Sequence, residues 1–187
     1  MRQLFMRRPE LTSIPDLWRA PEGYVLRTAG PEDAEGIAAV MASAFGPEWT
    51  AQRVREALLD APDVKETYIV VHADLPVATA SARLVPDRYP GSGYLHWVGS
   101  HAAHRGRRLG ALVSLAALHY FRDAGCRDAV LETDPPRIPV IRTYLGLGFV
   151  PEMVDPEHDA VWREILAGLG RRWAKKYGVP RGPRDPP

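Results

Sequence analysis

The chain has 187 residues, of which 45% are hydrophobic and 25% are charged, with a formal net charge of +1. This length fits one domain with a core of its own, and the near-neutral charge argues against a general nucleic-acid binder. The only cysteine, Cys126, excludes an intramolecular disulfide and indicates a reducing compartment.

Two further features concern membranes and the C-terminus. No apolar run approaches the roughly 18 residues of a membrane span, and the N-terminus has no apolar signal-peptide segment, so we expect a cytoplasmic protein without a membrane partner. Residues 171–187 contain six Arg or Lys against one Asp. From residue 178 onward the chain contains four prolines, and we expect this tail to be disordered.

The first 23 residues contain three prolines and little periodicity. We therefore expect residues 1–23 to form an irregular arm. Four apolar side chains are expected to pack it on the body: Leu11, Ile14, Leu17 and Trp18.

Hydrophobic periodicity and turn residues predict the elements that follow. In the first half these are a strand at 24–27, helices at 33–45 and 50–59, and strands at 67–71, 77–85 and 94–99. Thr50 is the expected N-cap of the second helix. In the second half they are a helix at 109–124, a strand at 128–133, a helix at 138–147, a strand region beginning at 148–151, and a C-terminal helix on which Val161, Ile165, Leu169 and Trp173 recur every four residues. This order predicts a single mixed α/β domain over residues 24–177.

Residues 101–111, HAAHRGRRLGA, join a predicted strand to a predicted helix. The first N–H groups of a helix have no internal partner, and the helix dipole adds partial positive charge there, so this junction suits a phosphate. Gly106 and Gly110 let an anion approach the backbone closely, and Arg105, Arg107 and Arg108 add positive charge. An anion-binding loop is one interpretation, and a solvated basic turn is the other.

Other phosphate and metal motifs fit this stretch less well. The glycine spacing differs from the G-x-G-x-x-G of dinucleotide folds, and the chain has no Gly-Lys pair for a Walker loop. The helix after Gly110 is apolar, unlike a DNA-recognition helix. His101 and His104 have metal-ligand spacing but no third ligand near them in sequence, so we expect no metal site.

Residues 97–110, WVGSHAAHRGRRLG, resemble the coenzyme A loop of the GNAT superfamily of N-acetyltransferases, whose pattern is [Q/R]-x-x-G-x-[G/A]. Arg105 takes the first place and Gly110 the last, whereas Arg108 stands where the family usually has its middle glycine. We expect Arg108 to adopt a right-handed conformation like that of a first helical residue. Its side chain is expected either to reach the cofactor phosphates or to point to solvent.

A second block, VIRTYLGLGF at 140–149, is similar to the family's A-[I/V]-x-x-Y-x-x-x-G-F pattern. Arg137 occupies the place where many members carry an asparagine. The two blocks cover 94–151, and the order of elements matches the family over 24–151. The resemblance implies a central mixed, mostly antiparallel sheet that is splayed at two central parallel strands and flanked by helices.

The resemblance also implies a site for acetyl-CoA, as co-substrate, between strands 94–99 and 128–133. A bulge at Gly99 is expected to open the strands, and backbone groups near Val98 and Gly99 to hold the pantetheine arm and polarise the thioester. The expected cofactor-binding residues, which include the backbone donors to the pyrophosphate, are Val98, Gly99, Arg105, Gly106, Arg107, Arg108, Leu109, Gly110, Ala111 and Arg137.

The implied reaction is direct attack of a neutral amine on the acetyl carbonyl in a ternary complex. An amine is mostly protonated near neutral pH, so a base must take its proton, and Glu132 and His96 are the candidates. Alternation along the strand places Tyr94, His96 and Val98 on one face. Tyr144 matches the family tyrosine that protonates the departing thiolate.

Each of these side chains also has a plainer explanation. His96 fits a satisfied strand histidine, Glu132 a structural or exposed carboxylate, and Tyr144 an aromatic packed between helix and sheet. Aromatic and basic residues that could line an acceptor pocket are Trp49, Tyr68, Arg83 and Trp97. The acceptor is expected to be a small-molecule or peptide amine.

Three functions are therefore open. The first is an acetyl-CoA-dependent N-acetyltransferase without a nucleic-acid partner. The second is a non-catalytic acyl-CoA-binding or regulatory module with the same fold. The third is a nucleic-acid-associated protein that uses the basic residues of 171–184. The resemblance also allows a homodimer, formed through the arm or the C-terminal helix.

Overall fold

The computed structural model describes residues 3–135, 137–154 and 157–170. Trp173, the basic cluster at 171–184 and the tail predicted to be disordered lie outside these residues. The domain boundary at residue 177 therefore stays a prediction.

One mixed sheet of seven strands forms the centre of the described part of the chain. The strands are β1 (Leu4–Arg8), β2 (Tyr24–Thr28), β3 (Val64–His72), β4 (Leu75–Arg83), β5 (Ser92–Ser100), β6 (Asp128–Thr133) and β7 (Val150–Glu152). Their order in space is β2-β3-β4-β5-β6-β1-β7. Only β5 and β6 run parallel among these neighbours, which confirms the predicted mixed, mostly antiparallel sheet.

The parallel pair separates along its length. β5 and β6 are paired only between residues 92–94 and 128–130. β5 then continues to Ser100 and β6 to Thr133 without further pairing between them. The expected splay is therefore present, and it begins after Tyr94.

Helices cover both faces of the sheet. They are α1 (Ala34–Phe45), α2 (Ala51–Val54), which continues as a π-helical turn over Arg55–Leu59, α3 (Leu109–Asp123), α4 (Ile138–Gly146) and α5 (His158–Gly168). The Arg53 N–H donates to the Thr50 hydroxyl at 3.2 Å, which confirms the predicted N-cap. No helix in the described ranges is long and apolar enough to cross a membrane.

Two adjacent residues of β3 show which helices pack on each face of the sheet. Ile69 packs with the apolar side chains of α1 and α2, whereas Val70 belongs to the core that contains those of α3, α4 and α5. Both side chains are fully buried. Because successive strand residues point to opposite faces, α1 and α2 cover one face and the other helices cover the second.

The N-terminus corrects one expectation. Residues Leu4–Arg8 are not part of an irregular arm but form β1, which lies between β6 and β7. Leu4 and Met6 are buried in the core, and Arg7 forms ion pairs with Asp128 at 3.0 Å and Glu152 at 2.9 Å. The strand was missed because its partners lie more than a hundred residues away in the sequence.

The rest of the arm packs largely as expected. Leu11 is buried, and Ile14 and Trp18 contact the core of the α3 face. Leu17 is 45% exposed and does not join the core. Residues 9–23 thus lead from β1, next to one edge of the sheet, to β2 at the opposite edge.

Candidate active site

Two cavities meet where β5 and β6 separate. One, of about 510 Å³, lies between the splayed strands and the α1–α2 layer, and the other, of about 590 Å³, lies at the start of α3. We call them the strand cavity and the loop cavity. Val98, Arg137 and Tyr144 line both, so these three residues mark the junction.

The loop cavity brings together most of the residues predicted to bind a cofactor. They are Val98, Gly99, Arg105, Gly106, Arg108, Leu109, Gly110, Ala111 and Arg137. Arg107 does not line the cavity, because its guanidinium lies 3.5 Å from the carbonyl oxygens of Ala103 and Arg105. A hydrogen bond from the Ala102 N–H to the Ser43 hydroxyl, 2.9 Å long, anchors the loop to α1.

Glycines let the start of α3 approach the sheet. Gly106 has a φ of 81°, which a residue without a Cβ adopts at little cost. A Cβ on Gly110 would lie 3.3 Å from the Ser100 hydroxyl oxygen, which is a tight contact. The first three residues of α3, Leu109–Ala111, whose N–H groups have no partner within the helix, line the loop cavity.

Arg108 differs from its prediction. Its φ of 59° and ψ of 21°, at the N-cap of α3, are left-handed and not right-handed. This conformation costs about 1–2 kcal/mol for a residue with a Cβ, which explains why glycine suits the position. The guanidinium lies 4.7 Å above the Trp18 ring, a contact that the sequence did not indicate.

A β-bulge shapes the wall of the strand cavity, at a different residue from the one expected. His96 pairs with Ser81 and Gly99 with Thr79. Between these two pairs β5 therefore has two residues, whereas β4 has one. Trp97, with a φ of 48°, lies in this interval. The bulge is thus at residues 97–98, not at Gly99.

The bulge also changes which side chains share a face. Val98 joins Leu95 in the core on the α3 side, whereas the Trp97 ring packs against Phe45 and Trp49 on the α1–α2 side. The predicted common face of Tyr94, His96 and Val98 is therefore wrong for Val98. An extra residue in a strand shifts the alternation by one position, and the sequence pattern did not reveal it.

Glu132 is held by three donors at the floor of the strand cavity. The Tyr94 hydroxyl donates to it at 2.8 Å, Arg88 at 2.5 Å and the Tyr89 hydroxyl at 3.4 Å. Burial and the neighbouring carboxylate raise the pKa of Tyr94, and burial raises the pKa of Tyr89 to about 12. Both phenols therefore stay protonated at neutral pH and act as donors to the carboxylate.

His96 also lines the strand cavity, but its partner is a cation. Arg83 donates to His96 Nδ1 at 2.9 Å and is itself fixed by an ion pair with Asp63. Burial and the Arg83 charge lower the pKa of His96 to about 3. The ring is neutral at neutral pH, and the same Arg83 nitrogen lies 3.4 Å from Nε2.

Tyr144 is 4% exposed and reaches the junction of the cavities from α4. Burial raises the pKa of Tyr144 to about 12, so its hydroxyl is protonated at neutral pH. Its ring packs edge-on against Phe149 at 5.9 Å between centroids. The side chain is thus a packed aromatic that lines the junction with its hydroxyl protonated.

Aromatic and basic side chains close the outer part of the strand cavity. The Trp49 and Trp97 rings are 4.6 Å apart, Arg53 stacks on Trp49 at 4.3 Å, and Arg137 stacks on Phe45 at 4.5 Å. Of the acceptor-pocket candidates, Trp49, Arg83 and Trp97 line this cavity and Tyr68 does not.

Sequence reasoning missed several lining residues. They are Gln3, Phe45, Glu48, Arg53 and Arg88. Gln3 could not be placed because β1 was not recognised, and its amide donates to Asp134, just past the end of the neighbouring strand β6, at 3.4 Å. The others come from three separate segments, and no local pattern marks them.

Comparisons with known proteins agree with this geometry. The acetyltransferase (GNAT) family model matches residues 34–149. A mycothiol acetyltransferase of Nocardia farcinica is 33% identical over 85% of this chain and 56% of its own length, and one of a Nocardioides species is 32% identical over 77% and 55%. The chain spans about half the length of these curated relatives.

Solved structures show the same fold. A GCN5-related N-acetyltransferase from Sphaerobacter thermophilus has a TM-score of 0.64 at 22% identity, covering 81% of this chain and 49% of its own. At that identity the similarity speaks for the fold alone. With the family model matching more than half of the residues and a relative at 33% identity, the chain belongs to the GNAT acetyltransferase family.

Proposed function

We propose that the protein is an acetyl-CoA-dependent N-acetyltransferase in which an amine in the strand cavity attacks the thioester directly, within a ternary complex. One observation carries this proposal. Tyr144 stands between a cavity that ends on the free N–H groups of α3 and a cavity that contains the carboxylate of Glu132. Donor site, acceptor site and proton donor are therefore adjacent.

The loop cavity fits coenzyme A in its chemistry. A pyrophosphate is stabilised by the free N–H groups and the dipole of α3, and Arg105 and Arg108 at the rim add positive charge. Beyond Tyr94 the backbone of β5 has no partner on its β6 side. These free groups suit an amide-containing arm and a polarised carbonyl. When bound, acetyl-CoA supplies the activated acetyl group.

Glu132 is the better of the two candidate bases. Its carboxylate accepts hydrogen bonds from Tyr94 and Arg88 and faces the cavity. His96 accepts from Arg83, and the same charge makes its protonated form unfavourable. We assign Glu132 the role of accepting the proton from the amine, directly or through water, and His96 the role of a neutral group that orients the acceptor.

Tyr144 is assigned the proton transfer to the departing thiolate. Its pKa of about 12 keeps the hydroxyl protonated in the working range, and the side chain is almost fully buried. A phenol is a sufficient acid for this step because the thiolate forms next to it in a low-dielectric site.

The acceptor is proposed to be a polar amine. Charged side chains from four segments line the strand cavity, among them Glu48, Arg53, Arg83, Arg88 and Glu132, and such a lining binds an acceptor that carries hydrogen-bonding groups. The curated relatives are named mycothiol acetyltransferases. The acceptor of those enzymes is therefore the first to test, within a panel of small amines, amino acids and peptides.

The experiment is thiol release from acetyl-CoA in the presence of this panel, with thermal shift by coenzyme A measured in parallel. Amine-dependent thiol release that falls in Tyr144→Phe supports the enzyme. Stabilisation by coenzyme A without thiol release from any amine supports the alternative, a non-catalytic acyl-CoA-binding module. If neither coenzyme A nor acetyl-CoA stabilises the protein, the result contradicts both the enzyme and the binding module.

A further inference from the structure

Arg108 holds a backbone conformation that favours glycine. Its left-handed φ of 59° comes directly before the first residue of α3. The other left-handed residue of the loop is Gly106, with a φ of 81°. An arginine in this conformation is strained by its Cβ, and a favourable contact of its side chain offsets part of that strain.

Trp18 provides the contact. The centre of its indole ring is 4.7 Å from the Arg108 guanidinium carbon, which is within the range of a cation–π interaction. Arg108 lines the loop cavity, whereas Trp18 does not. Arg108 is thus a residue of the cavity wall that Trp18 contacts.

Two hydrogen bonds hold the segment that carries Trp18. On one side of it, the Pro15 carbonyl is bonded to His119 Nε2 of α3 at 2.9 Å. On the other, the Tyr24 hydroxyl is bonded to His104 Nδ1, immediately before the loop, at 2.9 Å. These two bonds attach the segment that carries Trp18 to α3 and to the residue immediately before the loop.

We propose that Trp18 is a positioning residue for coenzyme A binding: it holds the Arg108 guanidinium and so maintains the left-handed turn that directs the first N–H groups of α3 into the loop cavity. The inference rests on the proposed function, because coenzyme A is the ligand. Trp18 lies outside residues 34–149 that match the family model. In this chain the pair of Trp18 and Arg108 takes the place of a glycine, which needs no support.

The test is a double-mutant cycle on the full chain, with the affinity for coenzyme A measured by isothermal titration calorimetry. Trp18→Ala is expected to weaken binding about fivefold in the natural chain, and less than about twofold in the Arg108→Gly background, where the turn no longer needs the indole. Trp18→Tyr keeps an aromatic face and is expected to bind within about twofold of the unmodified chain.

Leu17→Ala is the matched control, because Leu17 is the exposed neighbour of Trp18 and lines neither cavity. Its affinity for coenzyme A is expected to equal that of the unmodified chain. If Trp18→Ala does not fold, Trp18→Leu replaces it with the same expectation, since leucine keeps apolar packing without a π face.

Equal losses from Trp18→Ala in both backgrounds would overturn the proposal, because Trp18 would then act independently of Arg108. Unchanged affinity in Trp18→Ala would overturn it as well. Failure of the unmodified chain to bind coenzyme A is a different result, since it removes the proposed function and this inference with it.

Discussion

The Tyr94 hydroxyl donates to Glu132 Oε2 at 2.8 Å, across the two strands that separate immediately beyond this point. Tyr94 is the last residue of β5 that pairs with β6, and Glu132 lies two residues beyond its partner Val130. The hydrogen bond therefore fixes the carboxylate at the opening of the splay. This is the place where an acceptor amine and the thioester would meet.

Replacing the carboxylate tests the proposed base. Glu132→Gln keeps the size and the hydrogen bond from Tyr94 but cannot accept a proton. We expect kcat to fall about 100-fold or more, with the affinity for coenzyme A unchanged, as measured by thiol release and calorimetry. Glu35→Gln, an exposed change on α1, is the control. Full activity of Glu132→Gln would show that another group accepts the proton.

Two tyrosines allow a matched test of the proposed acid. Burial raises the pKa of both Tyr144 and Tyr68 to about 12, but only Tyr144 lines the cavities. Tyr144→Phe should lower kcat about 100-fold, whereas Tyr68→Phe should leave it unchanged. Coenzyme A affinity should be preserved in both. Equal effects of the two changes would mean that the loss comes from packing, not from proton transfer.

The pH dependence of the rate gives a second check on Tyr144. Because its pKa is raised to about 12, the hydroxyl remains a donor throughout the alkaline range in which enzymes are normally assayed. Plots of kcat against pH should therefore show no alkaline decline caused by Tyr144 below about pH 10. A decline with a midpoint near neutrality that disappears in Tyr144→Phe would contradict the assignment.

His96 is expected to make the fold sensitive to acid. Its pKa is lowered to about 3 in the folded chain from an ordinary value of 6.5, so between these values the unfolded chain binds a proton that the folded chain does not. Stability from this group is present above the ordinary pKa and is lost as the pH falls toward the folded value. Between about pH 7.5 and about pH 5, the unfolding temperature should therefore fall further in the natural chain than in His96→Gln. Parallel declines would show that His96 does not titrate in this way.

The core position of β1 can be tested by stability. Met6 is fully buried between β6 and β7, so Met6→Ala should lower the free energy of unfolding by about 2–5 kcal/mol. Leu17→Ala, at an exposed site of the following segment, should change it by less than about 0.5 kcal/mol. Denaturant titration measures both. A Met6→Ala change as small as that of Leu17→Ala would be evidence for a loosely attached arm.

Local patterns were sufficient for much of this protein. The elements between residues 24 and 151 were predicted within a few positions, since periodicity reports which face of a segment is buried. The loop at 105–110 was located because a helix N-terminus with glycines and arginines is a local feature. Tyr144 was found through a short motif, and the structure places it at the junction of the cavities.

Non-local features were missed for one common reason. β1 is a strand only because β6 and β7 supply its hydrogen bonds, and its five residues carry too little pattern by themselves. The bulge at Trp97 depends on the register with β4, and it moved Val98 to the other face. The choice between His96 and Glu132 depends on Arg83 and Tyr94, whose positions no spacing in the sequence reveals.

The sequence by itself therefore determined the family resemblance, the order of most strands and helices, and the place of the predicted anion-binding loop, because each depends on neighbouring residues or short spacings. Only the tertiary structure decided the left-handed turn at Arg108 and its contact with Trp18, the position of β1 between β6 and β7, and the environments that separate a neutral His96 from the carboxylate of Glu132. Those properties arise from burial and from contacts between distant segments, which exist only once the chain has folded.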